Sequence, residues 1–192
     1  MGNNSVLHLD QSHGSLLVRT SVEGRAARMG HRLTLQIAQW TAEVSLTDSQ
    51  PTSAVLRADL TALDVLAGEG GVTPLTPIDR SVITRNAAKS LKTKEHPGAL
   101  FTCPRMALGD TIATKNADIA LSGSLLIAGI TRPLMATVHA QEADGIWQVS
   151  TTSTVRQSDF GIKPYSLMVG AIRVGDDVAI EFHARIPAVN LE

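Results

Sequence analysis

Apolar residues recurring at every second position constrain this chain more than any other feature. Val178, Ile180, Phe182, Ala184 and Ile186 alternate with Glu181, His183 and Arg185. Ile119, Leu121, Gly123, Leu125 and Ile127 repeat the pattern, as do Leu33, Leu35 and Ile37. Successive side chains of a strand point to opposite faces, so a period of two marks strands packed on one face. Further strand patterns cover residues 15–22, Ala42–Leu46, 54–66, Ala99–Leu108, Leu134–Val138 and Ile146–Val155. Composition agrees: Val 15, Ile 12 and Thr 18 give 45 β-branched residues, the types that fit a pleated surface. Between Ile37 and Ala42 the apolar parity slips. A one-residue slip exchanges the two faces, so a bulge or a strand end is predicted around Trp40.

One segment changes period. Val82, Ile83, Asn86, Ala87, Ser90 and Leu91 recur at helical spacing. Asp79, after Pro77, is a capping type, and His96-Pro97-Gly98 cannot continue a helix, which predicts a helix over about 79–92. Turns are expected across Gly68–Pro77 and Gly129–Pro133, with a hairpin turn at Val174-Gly175-Asp176-Asp177-Val178. A short irregular or helical piece is expected near Lys163–Val169. Strands do not alternate with helices, which argues against a doubly wound parallel sheet. The class is all-β with one main helix, as an antiparallel barrel or sandwich of about eight strands.

Charge and cysteine content narrow the function classes. Lys+Arg 17 against Asp+Glu 18 leaves a net charge of −1, without the basic excess that phosphate contacts demand, so no nucleic-acid partner is expected. One cysteine, Cys103, excludes an intrachain disulfide framework and a cysteine-rich zinc site. No run approaches the roughly 20 apolar residues of a membrane helix. The first residues lack a basic stretch followed by an apolar one, so a cytoplasmic location is expected.

Catalytic motifs are absent. Leu121-Ser122-Gly123-Ser124-Leu125 lacks the glycines of a nucleophile elbow, and there is no H-E-x-x-H. The histidines at 8, 13, 31, 96, 139 and 183 are dispersed, whereas a metal needs three or four converging ligands. His139 and His183 sit on the parity opposite their strands' apolar runs and read as a solvated face. Gly68-Glu69-Gly70-Gly71 lacks the Lys-Ser/Thr of a phosphate loop. No metal, cofactor or catalytic residue is assigned.

Four stretches in order carry a family likeness. Leu121-Ser-Gly-Ser-Leu-Leu-Ile-Ala-Gly-Ile-Thr-Arg-Pro-Leu134 resembles G-x-L-x-I-x-G-x-T-R-P. Arg156-Gln-Ser-Asp-Phe-Gly-Ile162 resembles R-x-D-F-G-I, with two residues rather than one between Arg156 and Asp159. Ser90–Phe101 resembles a helix end followed by x-x-P-x-x-x-F, and Val174–Val178 also fits. Gly30-His31, with Trp40 further on, resembles one branch of the same family. The chain from about residue 15 to 186 thus resembles the YceI-like family.

That resemblance implies an antiparallel, eight-stranded, extended lipocalin-like barrel at 15–187, with tails at 1–14 and 188–192. It implies a long isoprenoid or fatty-chain lipid as partner, held inside without catalysis. An eight-stranded barrel is about wide enough for one slender ligand. Thr34, Gln36, Ser122 and Ser124 lie opposite the apolar residues of their strands. Leu33, Leu35, Ile37, Ile119, Leu121, Leu125 and Ile127 are therefore expected to point inward, with Phe182, and to line the pocket. His31, Arg80, Arg85, Arg156 and Asp159 are either head-group contacts or structural groups. For Arg156 the structural reading is a pair with Asp159 that pins a loop, Phe160 plugging one barrel end and Gly161 allowing the turn. The alternative function is a packed barrel that meets a partner protein, or a stress-related protein without a lipid. A small lipid-modifying enzyme is a third reading. A homodimer would bury part of the outer face.

Overall fold

A computed structural model of the protein describes residues 2–108 and 115–188. Among them, twelve strands form one curled sheet in which every pairing is antiparallel. In chain order these are β1 (Asn4–Asp10), β2 (Gly14–Glu23), β3 (His31–Ile37), β4 (Trp40–Thr47), β5 (Gln50–Asp59) and β6 (Leu63–Gly70). After the helix α1 (Pro77–Ser90) come β7 (Gly98–Leu108), β8 (Asn116–Ile127), β9 (Ile130–Ala143), β10 (Ile146–Arg156), β11 (Ser166–Leu167) and β12 (Ile172–Pro187). Across the sheet the order is β1-β4-β5-β7-β8-β9-β10-β12-β2-β3-β6, and the short β11 flanks β12.

The number of strands exceeds the expected eight. The reason is that three long stretches of chain turn corners. β1 and β2 are separated by residues 11–13, β3 and β4 by Ala38-Gln39, and β5 and β6 by Leu60–Ala62. Backbone bonds persist across the bends, from Ala38 N–H to the Ala62 carbonyl (2.7 Å) and from Asp59 N–H to the Gln39 carbonyl (2.9 Å). The parity slip near Trp40 is thus a strand end at a corner. The expected tail at 1–14 is corrected as well. Residues 4–10 form β1, which pairs with β4 from Asn4↔Thr47 to Asp10↔Thr41. Leu7 and Leu9 alternate inward on it and are buried. Of the expected tail at 188–192, residues 189–192 lie outside the described residues.

Tight turns set the register. Asp48-Ser49, Ala128-Gly129 and Asp144-Gly145 each join two antiparallel strands with both residues at positive φ, between 50° and 79°. Such two-residue turns match the right-handed twist of the flanking strands. Arg132-Pro133 therefore lies inside β9 and not in the turn, opposite Leu125 and Ser124. Val174–Val178 is no hairpin either. β12 runs straight through it, with a bulge between Val174 and Val178 against β2. The bulged residues are held from the side. Ser158 N–H and Oγ donate to the Asp176 carboxylate, and Gln157 Nε2 donates to the Gly175 carbonyl (2.8 Å).

The helix begins two residues earlier than the spacing predicts and stops at Ser90. Thr76 is the N-cap: its hydroxyl accepts from Asp79 N–H, and the Asp79 carboxylate accepts from Thr76 N–H (2.9 Å). Asp79 closes this reciprocal box from the third helical position and is not itself the cap. The chain leaves the helix through Leu91 and Lys92, where φ reaches 55°, well before His96-Pro97. Ile83, Ala87 and Leu91 pack on Leu35, Leu63 and Val65, so α1 covers one end of the curled sheet. The larger core cluster covers the remaining inner face, from Leu7 and Trp40 to Phe160, Ile162 and Ile186.

Candidate lipid-binding cavity

The inner faces of the strands enclose a cavity of about 440 Å³. Its wall draws on every long strand and on α1. The side chains on it are overwhelmingly aliphatic, and many are small: Ala54, Ala58, Ala99, Ala117 and Ala136 leave space where larger residues would fill it. All eight inward-facing candidates, Leu33, Leu35, Ile37, Ile119, Leu121, Leu125, Ile127 and Phe182, lie on this wall. Strand parity groups them, because alternate residues of a strand share a face, and the curl of the sheet turns that face toward the cavity.

The wall has members that the sequence reading missed. On β10, Trp147, Val149, Thr151, Ser153 and Val155 all line the cavity. They share one parity, and the three apolar members carried the signal. From α1, Ile83, Asn86, Ala87 and Ser90 face inward, followed by the C-cap residue Leu91. Polar groups line the cavity both at the β4–β5 turn, with Ser49 and Gln50, and at the end where the helix sits. Thr20, Asn86, Ser90, Gln157 and Tyr165 belong there, since Gln157 bonds Gly175, and Tyr165 bonds Val174 through its carbonyl (2.9 Å). Deeper in, Thr151 Oγ1 is buried with no hydrogen-bond partner among the described residues.

The charged candidates stand outside this wall. Arg80 Nη1 donates to the backbone carbonyls of Val65 and Leu66, the latter at 2.8 Å, and so clamps α1 to β6. Its donors face protein carbonyls, which supports the structural reading. Arg85 is exposed on the helix and does not touch the cavity. His31 Nε2 lies 2.8 Å from the Thr73 carbonyl, and its ring occupies the space where a Cβ on Gly71 would project. It pins the loop that leads into α1.

The expected pairing of Arg156 with Asp159 is corrected. Arg156 Nε donates to Asp177 Oδ1 at 3.3 Å. The β10–β12 register sets Arg156 directly opposite Asp177, while Asp159 lies in the 3-10 turn Gln157–Phe160 that follows. The Asp159 carbonyl accepts from Arg132 Nε (2.9 Å), which ties the turn to β9. Phe160 is buried in the main cluster, and Gly161 adopts φ 64°, the left-handed conformation that ends the turn.

Elsewhere the polar groups are structural or solvated. The Ser158 hydroxyl and N–H hold the Asp176 carboxyl below the usual carboxylate range. Thr76 does the same for Asp79. His139 is exposed and lies 2.6 Å from Asp118 on the outer face. Cys103 is fully buried, with its thiol toward the Arg105 carbonyl. No cluster of three or more metal-ligating side chains occurs among the described residues. Nor is any described helix long and apolar enough to cross a membrane.

Solved structures share this architecture. BcnA of Burkholderia cenocepacia superposes with a TM-score of 0.65 at 14% identity, over 90% of this chain and 96% of its own. A polyisoprenoid binding domain from Saccharophagus degradans, implicated in plant cell wall breakdown, gives 0.62 at 11% identity over 97% and 99%. The YceI protein of Campylobacter jejuni gives 0.51 at 10% identity over 97% and 86%. At these identities the likeness is one of fold. No curated protein sequence matches the chain. The model of the YceI-like domain matches residues 7–186, nearly the whole length, and the chain therefore belongs to the YceI-like family.

Proposed function

We propose that this protein is a non-catalytic carrier that holds one long apolar chain, isoprenoid or fatty, inside the sheet. The carrying observation is the cavity itself: about 440 Å³ walled by aliphatic side chains. That volume lies within the roughly 300–1,000 Å³ of ligand pockets. A Saccharophagus relative described as polyisoprenoid binding supports the same ligand class.

Chain continuity supports a closed container. Counted as bent ribbons, β1–β2, β3–β4 and β5–β6 are three strands, and β7, β8, β9, β10 and β12 make eight. The first ribbon pairs with the second through β1 and β4 and with β12 through β2, which leads back around the ring. Burying a methylene contributes about 0.8 kcal/mol. A dozen methylenes thus contribute about 10 kcal/mol, comparable with an association cost of ~4–15 kcal/mol. The polar residues near α1 suit an amphiphile whose head group stays at that end.

Organic extraction of the purified protein followed by mass spectrometry tests this reading. A long-chain lipid in stoichiometric amount is the expected result. Protein that yields no lipid and takes up neither fluorescent fatty acids nor isoprenoid alcohols would refute it and favour a protein-interaction module.

A further inference from the structure

The outside of the α1 end bears apolar side chains that nothing in the fold covers. Ten large apolar side chains are strongly exposed among the described residues, and eight of them lie at this end. The most prominent are Met29, Val72, Ile78, Val82, Met168 and Val169. They sit on neighbouring segments. Ala26 N–H donates to the Ala171 carbonyl (2.9 Å), which joins the 3-10 turn Ala27–Met29 to the tip at 167–170. The His31–Thr73 bond holds the loop containing Val72 beside the first residue of β3. Ile78 opens the helix that this loop enters.

Two features argue that this exposure has a purpose. Met168 and Val169 both have positive φ, 50° and 54°. A β-branched residue there is a genuine outlier, and Val169 is also fully exposed. The second feature is the outer face of α1. Ile78, Val82, Arg85 and Lys89 follow at spacings of four, three and four, and all are exposed. The free face of α1 thus places two apolar side chains next to two cations.

Charge selects the partner. Arg25, Arg28, Arg85, Lys89 and Lys163 are exposed around these tips and have no carboxylate partner among the described residues. Most acids in the same region are already engaged, whereas Asp159 is exposed and only its carbonyl is bonded, to Arg132. Glu23 pairs with Arg173, Glu69 with Arg32 and Asp177 with Arg156, while Asp79 closes the helix cap and Asp176 holds Ser158. The net charge of the chain is −1, yet this end presents unmatched cations.

We propose that the α1 end docks on an anionic phospholipid bilayer, with Val72, Ile78, Met168 and Val169 entering the interface and the five cations meeting lipid phosphates. This rests on the carrier reading above. It adds a route, because the polar lining residues Asn86, Ser90, Gln157 and Tyr165 lie at the same end as the docked tips.

Vesicle co-sedimentation tests it with the full chain. Phosphatidylglycerol–phosphatidylcholine vesicles are compared with pure phosphatidylcholine. Binding to the anionic vesicles is expected, weakening as salt rises. Arg25→Glu with Arg28→Glu is expected to lower it at least tenfold. Met168→Asp with Val169→Asp is expected to do the same, and aspartate tolerates positive φ, so this variant keeps its turn. Val6→Asp and Met135→Asp, at apolar positions exposed elsewhere, are expected to leave binding unchanged. No binding to anionic vesicles, equal binding to neutral ones, or equal loss in the Val6 and Met135 variants would overturn the proposal. Mass spectrometry on the same preparations keeps the two readings apart. Protein that carries lipid but ignores vesicles refutes docking alone. Protein that docks but is empty refutes the carrier alone.

Discussion

The Trp40 and Phe182 rings meet edge to face, with centroids 5.1 Å apart and planes at 76°. Trp40 opens β4 just after a corner, and Phe182 lies in the middle of β12. Their contact joins β4 and β12, two strands that do not pair with each other, across the interior. Trp40 is buried, while Phe182 also lines the cavity. Edge-to-face pairs contribute about 0.5–1.5 kcal/mol beyond area burial. Trp40→Ala is therefore expected to lose about 3–5 kcal/mol in urea unfolding, by cavity creation and loss of this contact.

Trp147 gives a direct reporter of occupancy. It lines the cavity, whereas Trp40 does not. Titration with a long-chain lipid is expected to change tryptophan emission. The change should persist in Trp40→Phe and vanish in Trp147→Phe. The reverse pattern would place the ligand elsewhere.

A hollow interior tolerates what a packed one rejects. Inserting bulk into a filled core costs about 1–3 kcal/mol. Ala136→Leu and Val149→Phe project into the cavity, so stability is expected to stay within about 1 kcal/mol of the parent protein while lipid capacity falls. Denaturant midpoints and lipid titration read the two effects separately.

The orphan hydroxyl inside the wall gives an opposite sign. Thr151 Oγ1 is buried without a partner among the described residues, and valine keeps the shape while removing the unsatisfied group. Thr151→Val is expected to raise stability by about 1 kcal/mol. A midpoint unchanged or lowered in urea would show that the hydroxyl is satisfied in solution.

Acid is expected to weaken the fold from a definite side. Asp59, Asp79 and Asp176 are each held below the ordinary aspartate range, chiefly by hydroxyl groups of Thr61, Thr76 and Ser158. A depressed carboxylate contributes stability above its unfolded pKa and loses it as pH falls through the folded value. The melting temperature should thus hold near neutrality and drop below about pH 4. Ser158→Ala is expected to shrink the part of that drop due to Asp176.

Alternation placed the wall residues correctly because parity is a local property of the chain. Leu33 and Leu35, like Ile119 and Leu121, share a face whichever strands lie beside them, and the helical period of 82–91 marked α1 just as directly. The four ordered motifs resembled the right family for a related reason: they record turns, caps and strand starts along the chain. Tertiary structure decided what depends on neighbours distant in sequence. Arg156 takes Asp177 as its partner because β12 lies opposite β10. Arg80 is consumed by the carbonyls of β6, and the corners that divide β1–β2, β3–β4 and β5–β6 arise from pairing with several strands at once. The hollow between the walls belongs to the same class. Sequence determined which side chains share a face, but the volume they leave empty is set by how far the sheet curls around them.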